Sequence, residues 1–416
     1  MTSFPKANAF LGLGLVFLGG CSVSPMPDNI EQVSRGGGYQ AQYREPPSAI
    51  AKPVFLESAT MNAQRCKPLL GGGFTDMAQG GKGGKLAALP LLGERVTRND
   101  LVDVRVDDDE VLNGSYVISR DGTLKLPFLD PIRAQGRTTD DIEADLGRAL
   151  LAEGFYETLP RLSVRVTDFA SVSVGVNGAV FEPHAVEIGG VPGDQIDSER
   201  QTALGSSTEA RNLSAAIRAA GGLRPDADLS AVELRRANRT YRLDLRDLFA
   251  GRTNADVMLL TGDEIFVHSR DCFQDDLMKP GPLSPPGVTL FLSNLTQPAL
   301  HNASSAIGRE VREVPYGTRY IQAVVDSNCV GGAQVTSARR SALLASRNPM
   351  TGVSTVIERK IEPLLRRADR DDYDPYVLPG DALACYDSSV TNLAEAARVL
   401  GLIGALTLFN KSSGSD

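Results

Sequence analysis

Five cysteines, three histidines and a few clusters of carboxylates are the side chains of this chain that could carry covalent, metal or acid–base chemistry. Cys21 stands directly after Leu18-Gly19-Gly20, behind the apolar run from Phe10 to Phe17 and the single early charge of Lys6. A charged start, an apolar core and small residues before a cut are the layout of a secretory signal. The core falls short of the ~20 apolar residues that cross a bilayer. Four cysteines remain, Cys66, Cys272, Cys329 and Cys385. In an exported protein they can close two disulfides, with three pairings open. Cys-x-x-Cys is absent and no Cys/His spacing suits zinc, so neither a metal nor a cofactor is expected. His184, His268 and His301 are scattered, and Asp107-Asp108-Asp109-Glu110 reads as a solvated turn after a strand. Asp263 and Asp381 stand in matching Gly-Asp turns, where repetition argues for a carboxylate bonding its own backbone rather than for a catalytic pair. The glycine-rich run ending at Lys85 misses the phosphate-loop pattern, because Gln79 replaces its first glycine and Leu86 follows the lysine. With no Gly-x-Ser-x-Gly elbow either, the residues offer no catalytic constellation, and no enzyme is expected.

The chain has 416 residues, is 42% hydrophobic and carries a net charge of −8. That length suits two to four domains. The acidic balance disfavours a nucleic-acid partner. Residues 1–20 form the expected signal, and 21–90, rich in glycine and proline, a flexible segment. From there an α+β pattern begins. Leu101 to Val106 alternates like a half-buried strand. Val117 to Pro127 reads as a hairpin around Asp121-Gly122. Thr138 and Asp141 fit a capping box, and Ile142, Leu146, Ala149 and Leu150 then share one helical face that stops at Gly154. Leu162 to Val166 alternates again.

Next comes a repeat. Ser171 to Val180 and Val288 to Leu295 each open a unit as a strand running toward a proline. Helical patterns follow at Leu213–Ala220 and Ile321–Val325, and the units close on Leu260-Thr261-Gly262-Asp263 and Leu378-Pro379-Gly380-Asp381. Duplication is the economical reading. The proline-rich stretch 273–287 reads as a linker, and the mixed charges of 340–375 as extra residues forming a solvated face or subunit contact.

The tail from Ser389 to Asn410 is long enough as a helix, about 33 Å at ~1.5 Å per residue, to cross a hydrocarbon core. Asn392, Glu395 and Arg398 form a polar stripe on it, opposite Leu393, Leu400, Ile403 and Leu406. The stripe would be costly against lipid unless it faced water. A ring of such helices with a wet lumen satisfies both faces, and so does a helix packed on the protein's own domains.

Leu18-Gly19-Gly20-Cys21 resembles a bacterial lipobox, which implies cleavage before Cys21 and lipidation of its sulfur; Ser22 is permissive for the outer membrane. The stretch Asn99-Asp100, Asp121-Gly122-Thr123-Leu124-Lys125-Leu126-Pro127, Gly136-Arg137-Thr138 and Ser163-Val164-Arg165-Val166 resembles the first block of the outer-membrane polysaccharide export lipoproteins. Asn99 replaces that family's usual glycine, and asparagine tolerates positive φ better than most residues. The resemblance implies a polysaccharide export domain at 91–169 and soluble-ligand-binding β-grasp domains at 170–272 and, more loosely, 288–387. An amphipathic membrane helix at 388–411 and a short tail at 412–416 follow. It further implies an outer-membrane, lipid-anchored subunit with its bulk in the periplasm, forming a homo-oligomeric ring, commonly an octamer. Polysaccharide would pass through the lumen without an energy source in this chain. An inner-membrane co-polymerase would be its partner and outer-membrane lipid its surroundings. The alternative is a lipid-anchored periplasmic glycan-binding or scaffold protein without a pore.

Overall fold

The computed structural model describes residues 66–71, 91, 93–189, 210–252, 256–294, 311–327, 329–330, 340–366 and 374–386. Cys21, His301 and the tail 388–411 lie outside these residues.

The first unit is built on a three-stranded sheet in the order β2-β1-β5, from β1 (Leu101–Val106), β2 (Gly114–Val117) and β5 (Leu162–Asp168), with every pair antiparallel. Helix α1 (Thr139–Ala152) covers it. The Thr138 hydroxyl accepts the Asp141 N–H and the Asp141 carboxylate accepts the Thr138 N–H, so the capping box forms as its spacing predicts. Ile142, Leu146 and Leu150 then face Val102, Val104 and Ile118 in one core. Gly154, at φ +77°, ends the run. The expected hairpin at 117–127 does not form a ladder. Asp121-Gly122 does turn, with Gly122 at φ +79°, but β3 (Thr123–Leu124) pairs with β4 (Ile132–Arg133) while β2 pairs with β1. A turn dipeptide fixes local direction, and the partner strand is chosen by which apolar face must be buried.

The second sheet runs β7-β6-β10-β8-β9: β6 (Val172–Gly178), β7 (His184–Ile188), β8 (Val232–Arg236), β9 (Arg239–Leu243) and β10 (Glu264–Val267). Only β6 and β10 pair in parallel, so the chain crosses over between them through α2 (Leu213–Ala219), the β8–β9 hairpin and the short α3 (Arg246–Phe249). Val172, Val174 and Val176 point inward with Ile265 and Val267 against Leu213, Ala216 and Ile217 of α2.

The third sheet repeats that order as β12-β11-β15-β13-β14, from β11 (Val288–Asn294), β12 (Val311–Val314), β13 (Ser341–Arg347), β14 (Ser354–Lys360) and β15 (Ala382–Tyr386). It adds α4 (Tyr320–Asp326) and α5 (Ile361–Arg366). The correspondence extends to single bonds. Ser214 and Ile321, near the starts of α2 and α4, donate N–H to the carboxylates of Asp256 and Asp374. Leu213 and Tyr320 donate to the carbonyls of Val257 and Pro375.

Three expectations need correction. Residues 340–366 are not an addition to the repeat, because the β13–β14 hairpin occupies the sheet position of β8–β9. Nor are all their arginines solvated: Arg340 and Arg359 are buried, and Arg340 donates to the Val330 carbonyl. The proline-rich stretch 273–287 is packed rather than free, because Leu277 and Leu283 enter the second core while Phe273 and Met278 enter the third. Within the glycine-rich segment, Cys66 to Gly71 is tied down. Lys67 donates to Arg270 O, and Leu70 and Gly71 donate to the side chains of Asp228 and Ser230.

Candidate functional site

The best-built chemical feature is a buried aspartate turn that occurs three times among the described residues. In Asn99-Asp100, Gly262-Asp263 and Gly380-Asp381 the first residue has positive φ, at +71°, +89° and +84°. Each aspartate donates its N–H to the carbonyl three residues earlier, and its Oδ2 accepts the N–H of that same residue. These donors are Thr97 at 2.7 Å, Leu260 at 2.8 Å and Leu378 at 2.8 Å. A side chain that closes its own turn leaves no carboxylate aimed at a substrate. Asp263 and Asp381 therefore stand in separate sheets as turn-formers, and the structure does not bring them together.

Two of the three turns hold an arginine. Arg236, at the end of β8, clamps Asp263 with Nε to Oδ1 at 3.0 Å and Nη2 to Oδ2 at 2.7 Å. Arg211 donates through Nη1 to Asp100 Oδ1 at 2.8 Å, and both side chains are 0% exposed. Its guanidinium lies 5.0 Å from the Phe169 ring centroid. This second pair spans the joint between the first unit and the second. Burial pushes the Asp100 carboxyl above its usual range, and Arg211 with the Thr97 and Ala170 N–H donors pulls it back only in part. The joint between the second and third units is also polar and covered: Arg224 grips Asp226 with Nε and Nη2 and donates through Nη1 to Pro349 O at 2.9 Å.

The cysteines resolve into Cys66–Cys272 and Cys329–Cys385. The first ties the early segment to the second unit's end. The second ties the loop after α4 to β15.

One face of the second sheet packs on α2, and the other carries a polar ladder around an aromatic ring. Asn177, Phe266, Glu233 and Arg242 share one row across four strands, and Glu264 and Arg235 share the next. Phe266 is 37% exposed and meets the His268 ring edge-on at 4.8 Å between centroids. Glu233 gathers His268 Nε2 at 3.2 Å, with Arg242 and Arg235 within 3.9 Å. A half-open ring rimmed by donors and acceptors suits a polyhydroxylated ligand. A second exposed aromatic, Phe128, is 79% exposed at φ +62° in the β3–β4 loop.

The remaining candidates are inert. Asp109 accepts the N–H groups of Val111 and Leu112 and the Tyr156 hydroxyl, which hold its carboxyl below the ordinary range. No His/Cys/Asp/Glu group suited to a metal occurs among the described residues. His184 bonds the neighbouring Glu182 carbonyl. A cleft of ≈ 420 Å³ beside α4 contains Arg319 and Tyr376, and there the Arg319 guanidinium lies 4.2 Å over the Tyr376 ring, so one face of that ring is taken by a protein cation. Among the described residues no helix is long and apolar enough to cross a membrane.

Arg211 and Arg236 carry no local signal in the sequence, because their partners are distant in the chain. Phe266 was legible, since Ile265 and Val267 alternate with it and must face the core.

Residues 93–167 match the model of the polysaccharide biosynthesis/export protein family, and residues 202–267 match that of the SLBB domain. The first unit thus carries a polysaccharide export domain and the second an SLBB domain, the domain pair of polysaccharide export proteins. The two matches cover the first unit and most of the second, about a third of the whole chain. Strands β6 and β7 precede the SLBB match yet complete its sheet. The EPS I polysaccharide export outer membrane protein EpsA of Ralstonia nicotianae is 25% identical over 158 residues, which cover 38% of this chain and 36% of that relative.

Proposed function

We propose that this chain is a subunit of an outer-membrane channel that passes a capsular or extracellular polysaccharide from the periplasm to the cell surface, with no catalytic step of its own. The observation that carries this reading is the export domain locked to an SLBB unit through the fully buried Asp100–Arg211 pair. A joint of that kind suits a part that must hold a fixed angle in an assembly. The Ralstonia relative, an outer membrane protein by name, supports the outer membrane as the location.

In this reading Cys21 carries the lipid anchor, and 388–411 supplies the membrane helix. Asn392, Glu395 and Arg398 line the lumen, while Leu393, Leu400, Ile403 and Leu406 meet lipid. Copies of the chain form a closed ring, an octamer by family resemblance. Exposed Phe128 is a contact between copies, and the periplasmic end meets an inner-membrane co-polymerase. The Phe266 face of the second sheet contacts the glycan.

Particle imaging of detergent-extracted protein tests the reading: closed rings with a lumen are expected, and monomers would overturn it. Deleting 388–416 should abolish export while the Cys66–Cys272 and Cys329–Cys385 units stay folded. Export that survives the deletion favours the second reading, a lipid-anchored glycan-binding or scaffold protein without a pore, for which the Phe266 face alone would suffice.

A further inference from the structure

Among the described residues the aspartate turn is built three times with one backbone geometry and only twice with a counter-ion. In the second sheet Glu264 pairs with Arg235, so Arg236 falls opposite Asp263. In the third sheet Ala382 pairs with Ala345, so Ser346 falls opposite Asp381. The third unit thus keeps the buried carboxyl and has a hydroxyl where the second has a guanidinium.

Asp381 is 2% exposed. Its Oδ2 accepts the Leu378 N–H at 2.8 Å. The Ser346 hydroxyl lies beside the carboxyl, yet its Oγ is buried and makes no hydrogen bond of ordinary geometry among the described residues. Among the described residues, the surrounding elements bring no compensating charge. β11 carries no titratable side chain and supplies backbone, with Gly380 donating to Thr289 O and Phe291 donating to Asp381 O. On β13 the titratable side chain is Arg347, which donates to the Gly352 carbonyl. In the segment before the turn, the Asp374 carboxylate receives the Ile321 N–H, and Tyr376 sits under Arg319. On β15, Cys385 is in a disulfide.

We propose that Asp381 is a proton switch in the third unit: protonated, it completes the turn by donating to Ser346 Oγ, and ionised, it leaves a buried charge without a counter-ion and loosens the β13–β15 pairing. A carboxylate buried without a cation is costly, and the usual response is to keep the proton. Burial accordingly pushes the Asp381 carboxyl up to about 7, against the weaker pulls of Ser346 and the Leu378 N–H. The folded turn therefore binds a proton that an opened, solvated turn has lost. Stability from this group is complete in acid, falls as pH rises from the ordinary carboxylate range, and is fully lost above about 7. β15 is the strand from which the chain continues toward the proposed membrane helix, so the switch sits where the two would be coupled.

Hydrogen exchange of the purified full chain, followed by mass spectrometry and corrected for intrinsic rates, reads the opening of β13 and β15 directly. In the unaltered chain opening should increase with pH between roughly 5 and 7, by up to ~tenfold per unit, and then level off. Asp381→Asn keeps the shape and the Leu378 bond but cannot ionise, and its profile should be flat. Ser346→Arg gives the turn the second unit's counter-ion and should flatten the profile as well. Parallel profiles for the unaltered chain and Asp381→Asn would overturn the proposal, whether or not Ser346→Arg folds.

Discussion

Arg211 and Asp100 meet with no solvent around either, and such a pair is held by what surrounds it as much as by its own attraction. Asp100 has two backbone N–H donors besides the guanidinium, whereas Arg211 Nε has no partner among the described residues. Removing one member leaves a buried charge alone, which costs about 3–5 kcal/mol in comparable sites. Arg211→Met should lower stability by that order in denaturant titration and should free the first unit from the second, visible as earlier proteolysis between them. Replacing both, as Asp100→Asn with Arg211→Met, should restore a good part of the loss. At Gly178 the constraint is steric: φ is +91° and a Cβ would sit 2.0 Å from the Val267 carbonyl oxygen. No L-side chain fits there without moving β10, so Gly178→Ala should be among the most damaging single changes in the second unit.

Among the elements, α1 is set most locally. Its capping box, apolar face and glycine stop all act within the segment. Thr138→Ala should cost about 1 kcal/mol, read as a lower unfolding midpoint with the same slope. The third unit depends on a longer-range tie. Cys329–Cys385 closes 56 residues and fastens the loop after α4 to β15, the strand paired with both β11 and β13. The corresponding loop position of the second unit, Gly222, which donates to Ile217 O as Cys329 donates to Val324 O, carries no disulfide. Replacing both cysteines by serine should cost about 2–5 kcal/mol and should increase exchange in β15 far more than in β10. The Phe266 face makes the opposite prediction. Phe266 is partly exposed and outside the cores, so Phe266→Ala should leave stability within ~0.5 kcal/mol while, on the proposed reading of this face, weakening binding of a polysaccharide severalfold in a direct titration.

Across the whole molecule, three cores are joined by two covered polar contacts and a packed connection rather than by free linkers. The edge-on approach of Phe181 to Tyr316, 6.4 Å between centroids, adds to the second joint. Arg224→Ala should loosen the third unit from the second without unfolding either, a change that small-angle scattering would read as a broader distance distribution.

Much of this was written in short-range pattern. The alternation of β1 and β5, the face and caps of α1, the repeated Gly-Asp turns and the outward place of Phe266 follow from periods of two and 3.6 residues and from the φ that glycine or asparagine permits. Those signals need only neighbours in the chain, and they also carried the resemblance to the export family. The tertiary structure alone decided that β3 joins β4, that the 340–366 hairpin completes the third sheet, which cysteines pair, and that Arg211 and Arg236 neutralise two of three identical turns while Asp381 has no counter-ion among the described residues. Apart from the β3–β4 pairing, these are choices among residues tens to hundreds of positions apart. Strand pairing, counter-ions and disulfides depend on which surfaces meet when the cores close, and nothing in the local order of residues encodes that distance.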